Sequence, residues 1–198
     1  FSNFNGTVTV DAGATLHTQN GGYTFQANNT VTNNGTITGS STFRVKGPSL
    51  TNNSTISNTY VNFDTTTNVS GAGSYSGTFM SAGSSGNIVL AGNVTFTPAG
   101  NFVLSGGSVL NPNSFIFTAI GNCYFNNGST VTSSGTFRTQ GSTALYCRAG
   151  SNFNGTLKVN TGTTLCNDDN PPYVGTLYGT VTIDSGAVLT TANGAYGL

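Results

Sequence analysis

Apolar residues in this chain alternate with polar ones over short runs, and a glycine closes each run. The clearest copies are Gly6-Thr-Val-Thr-Val-Asp-Ala-Gly-Ala-Thr-Leu16, Gly155-Thr-Leu-Lys-Val-Asn-Thr-Gly-Thr-Thr-Leu165 and Gly179-Thr-Val-Thr-Ile-Asp-Ser-Gly-Ala-Val-Leu189. They share one frame: apolar, any, apolar, two residues, Gly, two residues, apolar. A period of two marks a strand whose side chains alternate between faces, and a Gly between strands marks a turn. Weaker copies run through Cys123, Phe125, Gly128 and Val131; Leu145, Cys147, Gly150 and Phe153; Tyr23, Phe25, Asn28 and Val31; and Val61, Phe63, Thr66 and Val69. Asn28 takes the glycine position with the other residue that readily visits left-handed backbone, whereas Thr66 breaks the rule.

Copies starting at residues 121, 143, 155 and 179 are spaced by about two dozen residues or about half that, which predicts coils of about two dozen residues with two or three strands each. Helical spacing is absent, and Gly and the β-branched Thr and Val are abundant. A β-sandwich would need longer strands that do not resemble one another. The pattern therefore predicts an all-β chain, a parallel β-solenoid of the right-handed β-helix type, folded as a single domain over 1–198. Ser70 to Ser85, rich in Gly and Ser, gives no readable register.

This type of repeat resembles the right-handed parallel β-helix repeats of bacterial surface adhesins and autotransporter passenger domains. The resemblance implies a secreted or surface-attached shaft without conserved catalytic groups, and it carries no binding residues to transfer.

Composition narrows the functional classes. Only 5% of the 198 residues are charged, with five cations, five acids and a formal net charge of zero. Scattered Arg44, Lys46, Arg138, Arg148 and Lys158 supply no basic stripe for nucleic acid or for an anionic membrane. No run approaches the length of a membrane-spanning helix. Phe1 opens the chain without an initiator Met or a basic-then-apolar leader, an expectation of a processed form, and the scarcity of charge suits a secreted, cell-surface protein.

Candidate chemistry is sparse. The acids are five Asp and no Glu. Asp11, Asp64 and Asp184 share one frame position with Asn126 and Asn160, an interchange that points to turn capping rather than to charge. Asp168 and Asp169 form the one acidic pair, in a loop before Pro171-Pro172. They are weak calcium candidates because no spaced ligand pattern surrounds them. The single His17 is read as a surface residue with no activated Ser or Cys beside it. Cys123 and Cys147 fall at inward positions, Cys166 at an outward one, and three thiols exclude a dense disulfide framework. Tyr23, Tyr60, Tyr124, Tyr146 and Tyr173 have the chemistry to stack on sugars, although aromatic positions in this frame are read as core. Thr-x-Thr pairs number about eight, near the value of about six that Thr abundance alone gives, and Asn-x-Ser/Thr sequons are no more enriched.

No catalytic residue, cofactor or enzymatic activity is expected. The first and last repeats are the most regular, and neither end carries a sealing segment. Open ends predict head-to-tail assembly of copies into a fibre, filament or sheath, with Phe1, Phe4, Val8, Val10, Val181, Ile183, Leu189 and Tyr196 at the joint. The alternative is an adhesin segment that binds glycan or ice through a flat Thr/Asn-rich face.

Overall fold

The computed structural model of the chain describes residues 2–18, 23–81, 86–97, 101–132, 134–148, 150–167 and 176–191, the side chains of 79–81, 165–167 and 191 excepted. Every regular element described is a β-strand, and the strands pair in parallel with those one turn before and after. The chain winds as a parallel β-solenoid of about 8 turns at roughly 21-residue spacing. Turns vary in length, from 18 residues between Phe43 and Val61 to 25 between Thr163 and Val188.

Each turn carries three strands, one on each of three faces. Face 1 starts at Val8–Val10, continues through Val31–Asn33 and Ser49–Asn52, and ends at Thr176–Leu177, a 9-stranded sheet among the described residues. Face 2 runs from Thr15–His17 through Ile116–Ala119 and Thr136–Gln140 to Val181–Ile183. Face 3 runs from Ser2–Phe4 through Cys123–Phe125 and Thr143–Cys147 to Val188–Thr191. Faces 2 and 3 merge into one 17-stranded sheet because Thr36–Val45 and Thr55–Phe63 run unbroken around their shared corner.

The frame glycines make the corners. The Asp11 carbonyl accepts from the Ala14 N–H at 3.0 Å, with Gly13 at φ 80° in the third position. The same bond closes Ser105 to Ser108 around Gly107, Asn126 to Ser129 around Gly128 and Asp184 to Ala187 around Gly186. Positive φ at the third residue alone is the type II turn, which a side chain disfavours. The frame is a corner rather than a coil. The Gly6 copy rounds from face 1 to face 2, the Gly155 and Gly179 copies from face 2 to face 3, and the Cys123 and Leu145 copies from face 3 back to face 1. Corners recurring within one turn produce the half-period spacings in the sequence.

Two expectations about corners are corrected. Asn28 does not adopt the left-handed conformation, since Asn113 is the one described non-glycine residue at positive φ. Its side chain instead links turns, accepting from Gln26 Nε2 and donating to Asn5 Oδ1, both at 2.7 Å. Nor is the closing bond at Asp11, Asn126 and Asp184 a side-chain cap. The backbone carbonyl closes the turn, and the side chains of Asn126 and Asp184 bond to the neighbouring coil.

Inward residues stack in columns along the axis. Val8, Val31, Leu50, Val69 and Leu90 line face 1. Phe102, Phe117, Phe125, Phe137 and Phe153 fill the later turns, with ring centroids between 4.6 Å and 6.4 Å apart. Each such ring removed from water contributes about 1.5–3 kcal/mol. Several polar residues that enter this core bond to a neighbouring turn. Asn33, at the column position of Val10, donates to Asn52 Oδ1 at 2.7 Å, and Asn52 donates to the Ser74 carbonyl at 3.1 Å. Thr18, Ser41 and Asn58 form a second buried group at the corner of faces 2 and 3.

Cys123 and Cys147 are buried thiols outside any disulfide, at the inward positions of the frame. Burial pushes the Cys123 thiol up, with Cys147 adding to the shift. Cys166 pairs through its backbone with Leu145, and its side chain lies outside the described residues. After Gly162 the frame slips by one residue, and buried Thr164 bonds Thr139 across the core at 2.7 Å. The reading of the tyrosines as core is overturned. Tyr23 and Tyr60 are exposed, and Tyr124 and Tyr146 are half-exposed because they alternate with the inward Cys123, Phe125, Leu145 and Cys147. Tyr173 lies outside the described residues.

Candidate functional site: solenoid ends and outer faces

The first turn leaves its interior open. Phe4, Val8, Val10, Leu16 and Phe25 line a cavity of about 360 Å³ at this end. Phe4 is 52% exposed and lies over Phe25, with ring centroids 5.8 Å apart and planes 27° from parallel. Phe25 continues the stack to Phe43 at 5.9 Å. The last described turn presents the complementary edge. Leu177, Val181 and Leu189 are half-buried against the core, and Ile183 and Val188 are each 49% exposed.

Six of the residues read as the joint therefore fall in two clusters, Phe4, Val8 and Val10 at one end and Val181, Ile183 and Leu189 at the other. Phe1 and Tyr196 lie outside the described residues. Sequence reasoning missed Leu16 and Phe25, and also Leu177 and Val188. The signal for Leu16 was present in the frame, but placing it at the end required knowing that a frame spans two faces.

The outer faces sort the polar residues. On face 2, Thr15, Thr36, Thr55, Ser74 and Thr95 stand in one outward ladder, turn above turn, and Thr118 in the next turn is buried. A parallel ladder holds Thr38 and Ser57, whose hydroxyls bond at 2.9 Å. Face 1 repeats the arrangement with Thr9, Thr32, Thr51 and Ser70, the last two 3.2 Å apart. Thr-x-Thr pairs that count as ordinary along the chain are thus aligned in space. Register, not frequency, carries that information.

Charges lie elsewhere. Asp64 sits between Arg44 at 3.2 Å and Lys46 at 3.8 Å. The Asp184 carboxylate accepts from Asn160 at 2.7 Å and pairs with Lys158 at 3.2 Å. The Asn160 amide first, and then Lys158, hold its carboxyl below the ordinary value against a partial opposing effect of burial. Each pair links one turn to the next. Among the described residues no three of His, Cys, Asp and Glu gather as a metal site. Asp168 and Asp169 lie outside the described residues, and His17 is exposed at the first turn. On face 3, Tyr124 and Tyr146 stack 4.5 Å apart, with Arg148 over the Tyr124 ring.

Among the described residues no helix is long and apolar enough to cross a membrane. Compared with known proteins, the chain matches no family model, no curated protein and no solved structure.

Proposed function

We propose that this chain is a non-enzymatic, extracellular structural protein that stacks head to tail into a fibre or filament at a cell surface. The supporting observation is the pair of open apolar ends in matching columns. Stacking a second copy in register brings Leu177 over the Val8 and Val10 strand, Val181 and Ile183 over Leu16, and Leu189 over the Phe4 strand. Among the described residues the first and last strands of each face pair on one edge, and such a joint pairs the other. A heterologous contact of this kind does not close and propagates as a filament. With zero formal net charge, long-range repulsion does not oppose it.

A second reading, an adhesin segment binding glycan or ice through a flat face, is favoured by the hydroxyl ladders of face 2. Their rungs repeat every ~4.8 Å, the spacing of paired strands, and the ladder from Thr15 to Thr95 carries no charge.

Negative-stain electron microscopy over a concentration series, with sedimentation alongside, tests both. Filaments one solenoid wide, abolished by Phe4→Lys or Ile183→Lys in chains that keep their β circular dichroism, support the fibre. Single particles at every concentration overturn it, and binding of those particles to ice or to a glycan array establishes the second reading.

A further inference from the structure

Tyr124 and Tyr146 occupy the same outward position one turn apart, paired in register through strands Cys123–Phe125 and Thr143–Cys147. Their ring centroids are 4.5 Å apart and their planes 4° from parallel. Arg148 sets its guanidinium carbon 5.4 Å from the centre of the Tyr124 ring and donates from Nη1 to Asn126 Oδ1 at 2.9 Å. Cation–π attraction and this hydrogen bond hold the Tyr124 ring against its partner. Both rings are half-exposed, within reach of a small oxidant. Tyr75, by contrast, is fully buried, and Tyr23, Tyr60 and Tyr178 stand apart at other positions of the surface.

We infer that Tyr124 and Tyr146 form an oxidative cross-linking site, joined ring to ring as a dityrosine by a peroxidase-type one-electron oxidant that consumes hydrogen peroxide. Each phenol loses one electron and its hydroxyl proton, leaving a phenoxyl radical with spin density on the carbons ortho to oxygen. Two such carbons form the new C–C bond. The hydrogen on each joined carbon then moves to the oxygen, restoring two phenols. The pair loses two hydrogen atoms in total, and one hydrogen peroxide takes them to become two waters. Radicals on separate chains must meet by diffusion, whereas here the second ring is already in contact, an advantage of the kind that orients intramolecular reactions. The product ties two neighbouring turns covalently, restricting the unfolded chain as a disulfide does. This inference stands apart from head-to-tail assembly and holds for a single particle.

The test is limited oxidation of the full chain with peroxidase and hydrogen peroxide at low protein concentration. The expected product is a monomer two hydrogen atoms lighter, with dityrosine fluorescence and a cross-linked peptide pair containing Tyr124 and Tyr146. Tyr146→Phe keeps the stack and removes that product, and denaturant present during oxidation removes its selectivity. Dityrosine found only between chains, or through Tyr23, Tyr60 or Tyr178, overturns the inference. So does an unchanged yield of the intrachain product in Tyr146→Phe.

Discussion

Gly13 and Gly47 both turn corners, for different physical reasons. Gly13 sits at φ 80° with open space where a Cβ would go, so only its backbone conformation demands glycine. Gly47 has no such φ, but a Cβ there would lie 2.0 Å from the Asn29 carbonyl oxygen of the previous turn. Gly13→Ala should therefore cost about 1–2 kcal/mol, and Gly13→Asn less, because asparagine tolerates the left-handed region. Gly47→Ala should cost about 1–3 kcal/mol through steric overlap, and Gly47→Asn no less. Denaturant unfolding of the four variants separates the two causes. Asn52 offers a second residue-level test, since it accepts from Asn33 and donates to the Ser74 carbonyl of the next turn. Asn52→Leu should cost about 1–3 kcal/mol in the same unfolding measurement, because it removes the partner of the buried Asn33 amide and of the Ser74 carbonyl.

The corner and its flanking strands are the unit the sequence spells out. Alternation and glycine were legible because strand period and type II geometry are local properties, and they located inward Val8, Val10, Leu157 and Val159 correctly. Assignment to faces was not legible, because one frame serves three corners and only pairing with the next turn distinguishes them. Asparagine at 33 and 52 was missed for the same reason: it looks like loop chemistry until a second copy stands 19 residues away. The open ends were readable as regular repeats, yet Phe25 joined them only through stacking. Ionic links between turns predict a pH effect. Asp184 has a depressed carboxyl, so its contribution is present above the ordinary carboxylate range and is lost as pH falls through the lowered value. The acid unfolding profile of Asp184→Asn should diverge from wild type above that window and converge with it below. In the phenylalanine stack, Phe137 touches four other rings, and Phe137→Ala should cost about 3–5 kcal/mol by thermal or denaturant unfolding.

Across the whole molecule, strand pairing joins each turn to the turns before and after it, so stability is close to a sum of nearest-neighbour terms. Central turns have two such neighbours and the end turns one. Hydrogen exchange of the monomer should be slowest around Val61, Ile88 and Phe117 and fastest at Ser2–Phe4 and Val181–Ile183. Assembly should slow exchange at those ends alone, a change confined to the joint. The ladder bonds that hold one turn to the next also set the response to force. They all point along the axis, so a pull along that axis loads the interfaces in series and breaks them one at a time. Each rupture releases one turn of about 21 residues, or ~70 Å of extended chain. Stretched from its ends, the shaft would lengthen turn by turn rather than snap, dissipating load as a row of sacrificial links.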